Sequence, residues 1–488
     1  MRSHRALTVA LVSTGLLLSG VAAGPPAHAA GCRPSAVPDD IDRDGRSDLV
    51  VGDPYADRNE GRVEVVYNDG RRAMIRRSQL PGDPGDASFF GSAVALGDFT
   101  GDGCLDLAVG SPSDGYVEPE DADDGGGDPG RPAEPKVFVL RGTSTGITTS
   151  DPVVVLDPEM GEYSGFGNDL AVLQPYPDSR AQLVVGMPSR DGGRGGVAFF
   201  AFDDDGQPGE PVLVDRDTPG VDGSATPDSM FGASLATIGH SVLVGADGTA
   251  VSGRRRAGSV TMLTNTDAAP QTFKGVSYSQ DSAGVSGGAE TNDRFGYSVA
   301  AHGGWVAVGV PEENLGEDVD AGAVQLFRRN AGAGTLTPVQ MVSQETAGVP
   351  GGSEDYDRFG SSVTVGRGLQ RAGVLALAVA AENEEDDPDV PDTGAWTVLD
   401  LPTLRGSRYS LSSPGVPGAD ARGAGAFMHV AVLGGPQAAT AERRDALVVA
   451  LPSRSRGRVL VSPPWLGSWE SFQSGDYPTS AEFGAAVS

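Results

Sequence analysis

Apolar positions in this chain fall in short, β-branched runs that alternate with polar ones and are broken by glycine- and proline-rich turns. Ser92-Ala93-Val94-Ala95-Leu96 is typical. A period of two places successive side chains on opposite faces of a strand, so this alternation argues strand and not helix.

The runs recur in a fixed order. A Phe-Gly pair opens a first strand at Phe90, Phe166, Phe231, Phe295, Phe359 and Phe483, with Phe427-Met428 as a degenerate copy. A second, more continuous apolar strand follows, as in Leu107-Ala108-Val109-Gly110 and Leu183-Val184-Val185-Gly186. A third starts on a small residue, as in Gly61-Arg62-Val63-Glu64-Val65 and Gly258-Ser259-Val260-Thr261-Met262. A weaker fourth strand is expected after it, as in Pro152 to Leu156. The tract ahead of Phe295 repeats ahead of Phe359: Gln280, Gly284, Val285, Gly287, Gly288, Glu290, Asp293 and Arg294 match Gln344, Gly348, Val349, Gly351, Gly352, Glu354, Asp357 and Arg358.

A unit of four short strands cannot bury a core alone, and radial stacking of such units is a propeller. The expected fold is all-β: a seven-bladed β-propeller of four-stranded antiparallel blades. The chain starts inside one repeat and ends just after a Phe-Gly. The C-terminal strand (Phe483 to Ser488) is therefore expected to pair with Leu49 to Gly52 in the N-terminal blade, closing the ring and removing two open edges.

Residues 1–29 have the pattern of a signal peptide: Arg2 and Arg5, an apolar stretch, then Ala27-His28-Ala29 as a cleavage site. The expected domains are this signal and one propeller over residues 30–488, giving a secreted protein without a membrane span. The formal charge of −30 argues against nucleic-acid or anionic-membrane surfaces and favours divalent cations or basic partners. In an exported protein Cys32 and Cys104 are expected to form a disulfide. The rival is lipid attachment at Cys32, since Ala29-Ala30-Gly31-Cys32 loosely fits a lipoprotein site.

Two loops concentrate carboxylates. One is Asp40-x-Asp42-x-Asp44-Gly45-x-x-Asp48, the other Asp98-x-Thr100-x-Asp102-Gly103-x-x-Asp106. Calcium takes six to eight oxygens, and this spacing wraps a chain around one hard cation. The side chains of Asp40, Asp42, Asp44, Asp48, Asp98, Thr100, Asp102 and Asp106 are the expected ligands, with backbone carbonyls from Arg46 and Cys104. Thr100 replaces one charge with a neutral oxygen, so the second loop is expected to bind less tightly.

From Phe90-Gly91-Ser92-Ala93-Val94 through Asp98-Phe99-Thr100-Gly101-Asp102-Gly103 to Leu107-Ala108-Val109-Gly110-Ser111-Pro112, the sequence resembles an FG-GAP repeat of the integrin α type. The resemblance implies a seven-bladed ring with Ca2+ in the first hairpin of some blades. It also suggests a free-standing bacterial relative, since the integrin stalk and membrane segments have no counterpart here.

Gly284-Val285-Ser286-Gly287-Gly288 fits the nucleophile-elbow pattern G-x-S-x-G, but proline replaces Ser286 in the other copies, at Pro350 and Pro417. His240, His302 and His429 lack metal-ligand spacing. Three insertions between second and third strands, Ser113–Pro135, Glu312–Ala321 and Glu382–Thr393, hold eight, five and seven acids, so one face is expected to be strongly negative. The functional expectation is a monomeric, non-enzymatic binding or scaffold module for an extracellular protein or glycan. The alternative is an extracellular hydrolase using the acidic loops.

Overall fold

The computed structural model describes residues 32, 37–82, 88–112, 135–150, 154–156, 164–174, 180–265, 272–384, 394–417, 428–433, 445–451, 458–462, 469–473 and 486–487. The expected signal peptide and Phe483 lie outside them.

Seven four-stranded antiparallel sheets form the seven blades. Blade 4 shows the common plan: Ser234–Ile238, Ser241–Ala246, Ser259–Asn265 and Phe273–Tyr278 in consecutive order. Blade 1 departs from it. Its innermost strand is Ala486–Val487, which pairs antiparallel with Leu49–Asp53 through Val51↔Val487 and Gly52↔Ala486. The ring therefore closes as expected, with the two ends of the chain in one sheet.

The Phe-Gly repeat has a packing cause. Phe90, Phe166, Phe231 and Phe295 are fully buried and Phe359 nearly so. Phe90 meets Phe138, Phe166 meets Phe200, and Phe295 meets Phe327, each edge-on to the third strand of its own blade at centroid distances of 5.7, 5.9 and 6.4 Å. Such pairs contribute about 1 kcal/mol beyond burial.

The glycine ahead of each third strand joins blades together. Gly61 forms a parallel bridge with Phe90, as Gly195 does with Phe231 and Gly258 with Phe295. A Cβ on Gly61 would lie 2.1 Å from the Phe90 carbonyl oxygen. Only a residue without a side chain lets neighbouring backbones approach this closely.

Candidate functional site

The two aspartate loops are built alike. In the first, Asp40 Oδ2 accepts from Gly45 N–H at 3.2 Å, Asp42 Oδ1 from Asp44 N–H at 3.2 Å, and Asp44 Oδ1 from Arg46 N–H at 2.8 Å. In the second, Asp98 Oδ2 accepts from Gly103 N–H at 2.9 Å and Asp102 Oδ1 from Cys104 N–H at 2.8 Å. The ninth position is a latch in both. Asp48 Oδ2 accepts from Ile41 and Asp42 N–H at 2.9 and 3.3 Å, while its Oδ1 accepts from Asn68 N–H at 2.9 Å. Asp106 repeats this with Phe99 and Thr100 N–H at 3.0 Å each and Gly142 N–H at 2.9 Å. Each latch ties its loop to the turn after the third strand of the same blade.

Asp40, Asp42 and Asp48 bring oxygens within 4.8 Å of one another. Asp44 and Arg46 are exposed at the rim of the same loop. Burial pushes Asp48 up to about 7 and Asp106 up to about 6, and it raises Asp42 and Asp98 as well. Carboxylates this destabilised as anions call for a counter-charge. Arg71 supplies part of it through an ion pair with Asp42. In the second loop Thr100 Oγ1 is buried without a hydrogen-bond partner among the described residues. An all-oxygen donor set on turns of this kind fits a hard cation.

Cys32 and Cys104 form a disulfide, with Cα atoms 4.9 Å apart. It fastens the segment ahead of the first loop to the seventh position of the second. A thiol used in this way carries no lipid, so the lipid-attachment alternative at Cys32 falls.

The face opposite the loops differs from its expected character. The first insertion lies outside the described residues, apart from its last residue. Three of the described acids of the other two, Glu312, Glu382 and Glu384, are met by arginines from elsewhere in the chain. Glu312 pairs with Arg294 at 3.4 Å, Glu382 with Arg358 at 2.9 Å, and Glu384 with Arg408 at 2.6 Å. Arg254, Arg255 and Arg256 are exposed on the same face, in the connection between the second and third strands of blade 4. The described part of this face is therefore of mixed sign: counting charges within each insertion could not register partners from neighbouring segments.

An axial cavity of about 900 Å3 opens among the inner strands, lined by Asp169, Ser234, Ser298, Ser362 and His429 and by Arg255, Arg256 and Arg294. The position three after the Phe-Gly phenylalanine forms an inter-blade ring. Asp169 Oδ2 accepts from Leu235 N–H at 2.7 Å, Ser234 Oγ donates to Gly296 O at 2.9 Å, and Ser298 Oγ donates to Gly360 O at 2.8 Å. Ser362 Oγ accepts from Val430 N–H at 3.1 Å. Burial raises Asp169 to about 7 and lowers His429 to about 4. The sequence signal for this site was a polar residue three positions after Phe166, Phe231, Phe295 and Phe359, with alanine at that offset after Phe90 and Phe483.

Residues 40–109 match the FG-GAP-like repeat family and residues 90–130 the FG-GAP repeat family. Integrin alpha-7 of Rattus norvegicus is 38% identical over 137 residues, covering 27% of this chain and 10% of the integrin. Phosphatidylinositol-glycan-specific phospholipase D of Bos taurus is 34% identical over 177 residues, covering 33% of this chain and 19% of the phospholipase. The chain thus spans between a tenth and a fifth of these relatives. Among solved structures, the periplasmic gluconolactonase PpgL of Pseudomonas aeruginosa aligns over 89% of this chain and 98% of its own, with a TM-score of 0.46 and 12% identity. The expectation of a non-enzymatic chain is corrected here, because a protein named as a phospholipase is among those it is similar to. With its Phe-Gly repeats, aspartate loops and closed seven-bladed ring, the chain is an FG-GAP, integrin-α-like β-propeller.

Proposed function

We propose that this chain is an extracellular, calcium-binding propeller, residues 30–488 of a precursor whose first 29 residues direct export. The observation that carries the calcium reading is the convergence of Asp40, Asp42 and Asp48 in a loop whose hydrogen-bond plan recurs at Asp98–Asp106. Asp40, Asp42, Asp44 and Asp48, with the Arg46 carbonyl, hold one ion. Asp98, Thr100, Asp102 and Asp106, with the Cys104 carbonyl, hold the other. Bound calcium supplies positive charge to carboxylates that burial destabilises, and it fixes the turns around them. The disulfide and the lack of any membrane-crossing helix among the described residues support an extracellular setting. Calorimetric titration of calcium into chelator-stripped protein should give two sites, with the Asp98 loop the weaker. Asp44→Ala plus Asp102→Ala should abolish both, and a wild-type protein that binds no calcium refutes the reading.

A second reading, hydrolysis, is favoured by one observation: Asp169 and His429 line the same cavity. With Asp169 raised and His429 lowered, a carboxylic acid and a neutral imidazole coexist near pH 7, one able to give a proton and the other to take it. Ser234, Ser298 and Ser362 line the same cavity. On this reading the hydrolytic site is on the axis and not in the acidic insertions. Screening phosphodiesters, esters and lactones with wild type and His429→Ala tests it. Turnover unaffected by the substitution, or no turnover of any of them, sinks it.

A further inference from the structure

The mouth of the axial cavity carries positive charge. In a chain of formal charge −30, Arg255 and Arg256 stand side by side, exposed, with no ion-pair or hydrogen-bond partner for either side chain among the described residues. Their backbones are held firmly. The Arg255 carbonyl accepts from Asn292 N–H at 3.0 Å and the Arg256 carbonyl from Arg294 N–H at 2.9 Å, both across a blade boundary. Arg256 sits at φ +52°, a conformation that is uncommon outside glycine and, where it persists, is held by its surroundings. The third arginine, Arg294, is already committed: it donates to Asp247 at 2.6 and 2.9 Å and lies over the Tyr297 ring at 4.3 Å. Two free guanidiniums therefore remain at the opening, in the fork geometry that suits carboxylate, sulfate or phosphate.

Deeper in, the cavity is polar in a different way. Ser362 Oγ accepts from the backbone of the next blade, which leaves its hydroxyl hydrogen free to donate. The His429 imidazole has no hydrogen-bond partner among the described residues and offers one donor and one acceptor when neutral. Asp169, anchored by Leu170 and Leu235 N–H, adds a further acceptor. Mixed donors and acceptors of this kind match hydroxyl groups, which both give and take hydrogen bonds. A volume of about 900 Å3 is at the upper end for small-molecule sites, so it admits more than one sugar ring.

We propose that the axial cavity binds an anionic carbohydrate, its acid group held by Arg255 and Arg256 and its hydroxyls by Ser362 and His429. The site lies on the face opposite the aspartate loops. It shares the cavity with the hydrolytic reading but does not depend on it: binding without turnover would remove only that reading.

The test is calorimetric titration at fixed millimolar calcium with three tetrasaccharides: a hyaluronan fragment bearing carboxylates, a chondroitin sulfate fragment bearing sulfate, and neutral maltotetraose. At least one anionic fragment should bind at least ten-fold more tightly than maltotetraose, and more weakly as salt is raised. Which one binds identifies the acid group. Arg255→Ala plus Arg256→Ala should lose at least ten-fold in affinity for it with an unchanged melting temperature, because both side chains are exposed. His429→Ala should weaken every fragment that binds. The proposal is overturned if neither anionic fragment binds wild type, if maltotetraose binds as well as they do, or if the double arginine variant keeps full affinity.

Discussion

Arg408, in strand Arg405–Ser410, donates to Glu384 at 2.6 Å, and one blade earlier, at the same register position in strand Thr335–Val342, Met341 stands where that arginine would be. The repeat makes the two places comparable. A Cβ on Gly351 would meet Arg408 Cδ and Gln344 Nε2 at 3.5 Å each. A Cβ on Gly287, its counterpart, would meet Gln280 Nε2 at 3.1 Å, Glu313 Oε1 at 3.2 Å and Met341 Cε at 3.5 Å. Glu313 thus has the glutamine partner of its copy, Gln280 at 2.6 Å, without the cation. Burial, followed by the charges of Asp293 and Glu290, pushes it up to about 7; burial and the charge of Asp357 push Glu384 to about 7 as well, with Arg408 opposing them.

Met341→Arg should therefore stabilise the protein, and the effect should depend on pH. Glu313 titrates higher in the folded state than unfolded, so its contribution is fully present below about pH 4.5 and is lost as pH rises through about 7. The rise corresponds to roughly 3 kcal/mol at most. Equilibrium unfolding at pH 5 and pH 8 should show wild type losing stability over this window, with the loss reduced in Met341→Arg and in Glu313→Gln. The reverse change, Arg408→Met, should cost on the order of 3 kcal/mol at pH 8, because it strips a buried carboxylate of its partner. Equal stability of Met341→Arg and wild type at pH 8 would count against this account.

Two glycines with the same torsion separate backbone freedom from blade contact. Gly61 and Gly253 both have φ +84°, but a Cβ on Gly253 meets nothing within 4 Å, whereas on Gly61 it strikes the Phe90 carbonyl oxygen. Gly253→Ala should cost only the torsional term, about 1 kcal/mol. Gly61→Ala should cost several times more, since the Gly61–Phe90 bridge must open. Urea unfolding of the two variants measures the difference directly, and similar losses would mean that the bridge contributes little.

These contacts also explain what the sequence could tell. Phe-Gly was legible because every blade boundary needs the same two things, a buried ring and a backbone without a side chain, so the pair recurs almost unchanged. The aspartate loops were legible because all their chemistry lies within nine consecutive residues. The axial ring was not, since Asp169, Ser234, Ser298 and Ser362 bond to the next blade in different ways, one as a carboxylate acceptor, two as hydroxyl donors and one as a hydroxyl acceptor. The neutralisation of Glu312, Glu382 and Glu384 was hidden for a related reason: Arg294, Arg358 and Arg408 reach them from segments about 18 to 24 residues away.

The disulfide should matter to the second aspartate loop as well as to the fold. Cys104 occupies the seventh position, and its own N–H donates to Asp102. The bridge closes a loop of 72 residues. In the chain-entropy model this stabilises by about 4 kcal/mol. Cys32→Ala plus Cys104→Ala should lower the melting temperature in chelator and weaken the Asp98–Asp106 site more than the Asp40–Asp48 site. Calcium titration that shows both sites equally weakened would point to a general loss of folding and not to this local link.

The C-terminal strand should be indispensable, although termini usually tolerate trimming. Ala486–Val487 is the innermost strand of blade 1, paired with Val51 and Gly52. The chain enters that strand, Leu49–Asp53, directly from the Asp40–Asp48 loop, so the loop sits at the seam where the two ends meet. Its latch, Asp48, is fixed on the outer side by Asn68, in the turn after the third strand. On the inner side, among the described residues, only the closing strand pairs with the edge of Leu49–Asp53. Removing Phe483 to Ser488 should leave that edge unpaired, loosen the start of the strand, and so reduce calcium affinity at a loop more than 430 residues away in sequence. The Asp98–Asp106 loop, whose inner strand Val94–Gly97 is intact, should keep its affinity. The open edge should also pair with another copy, giving concentration-dependent oligomers. Calorimetry and light scattering on the truncated protein test both consequences. A monomer that binds two calcium ions as tightly as the full chain would show that the seam bears no load in either respect.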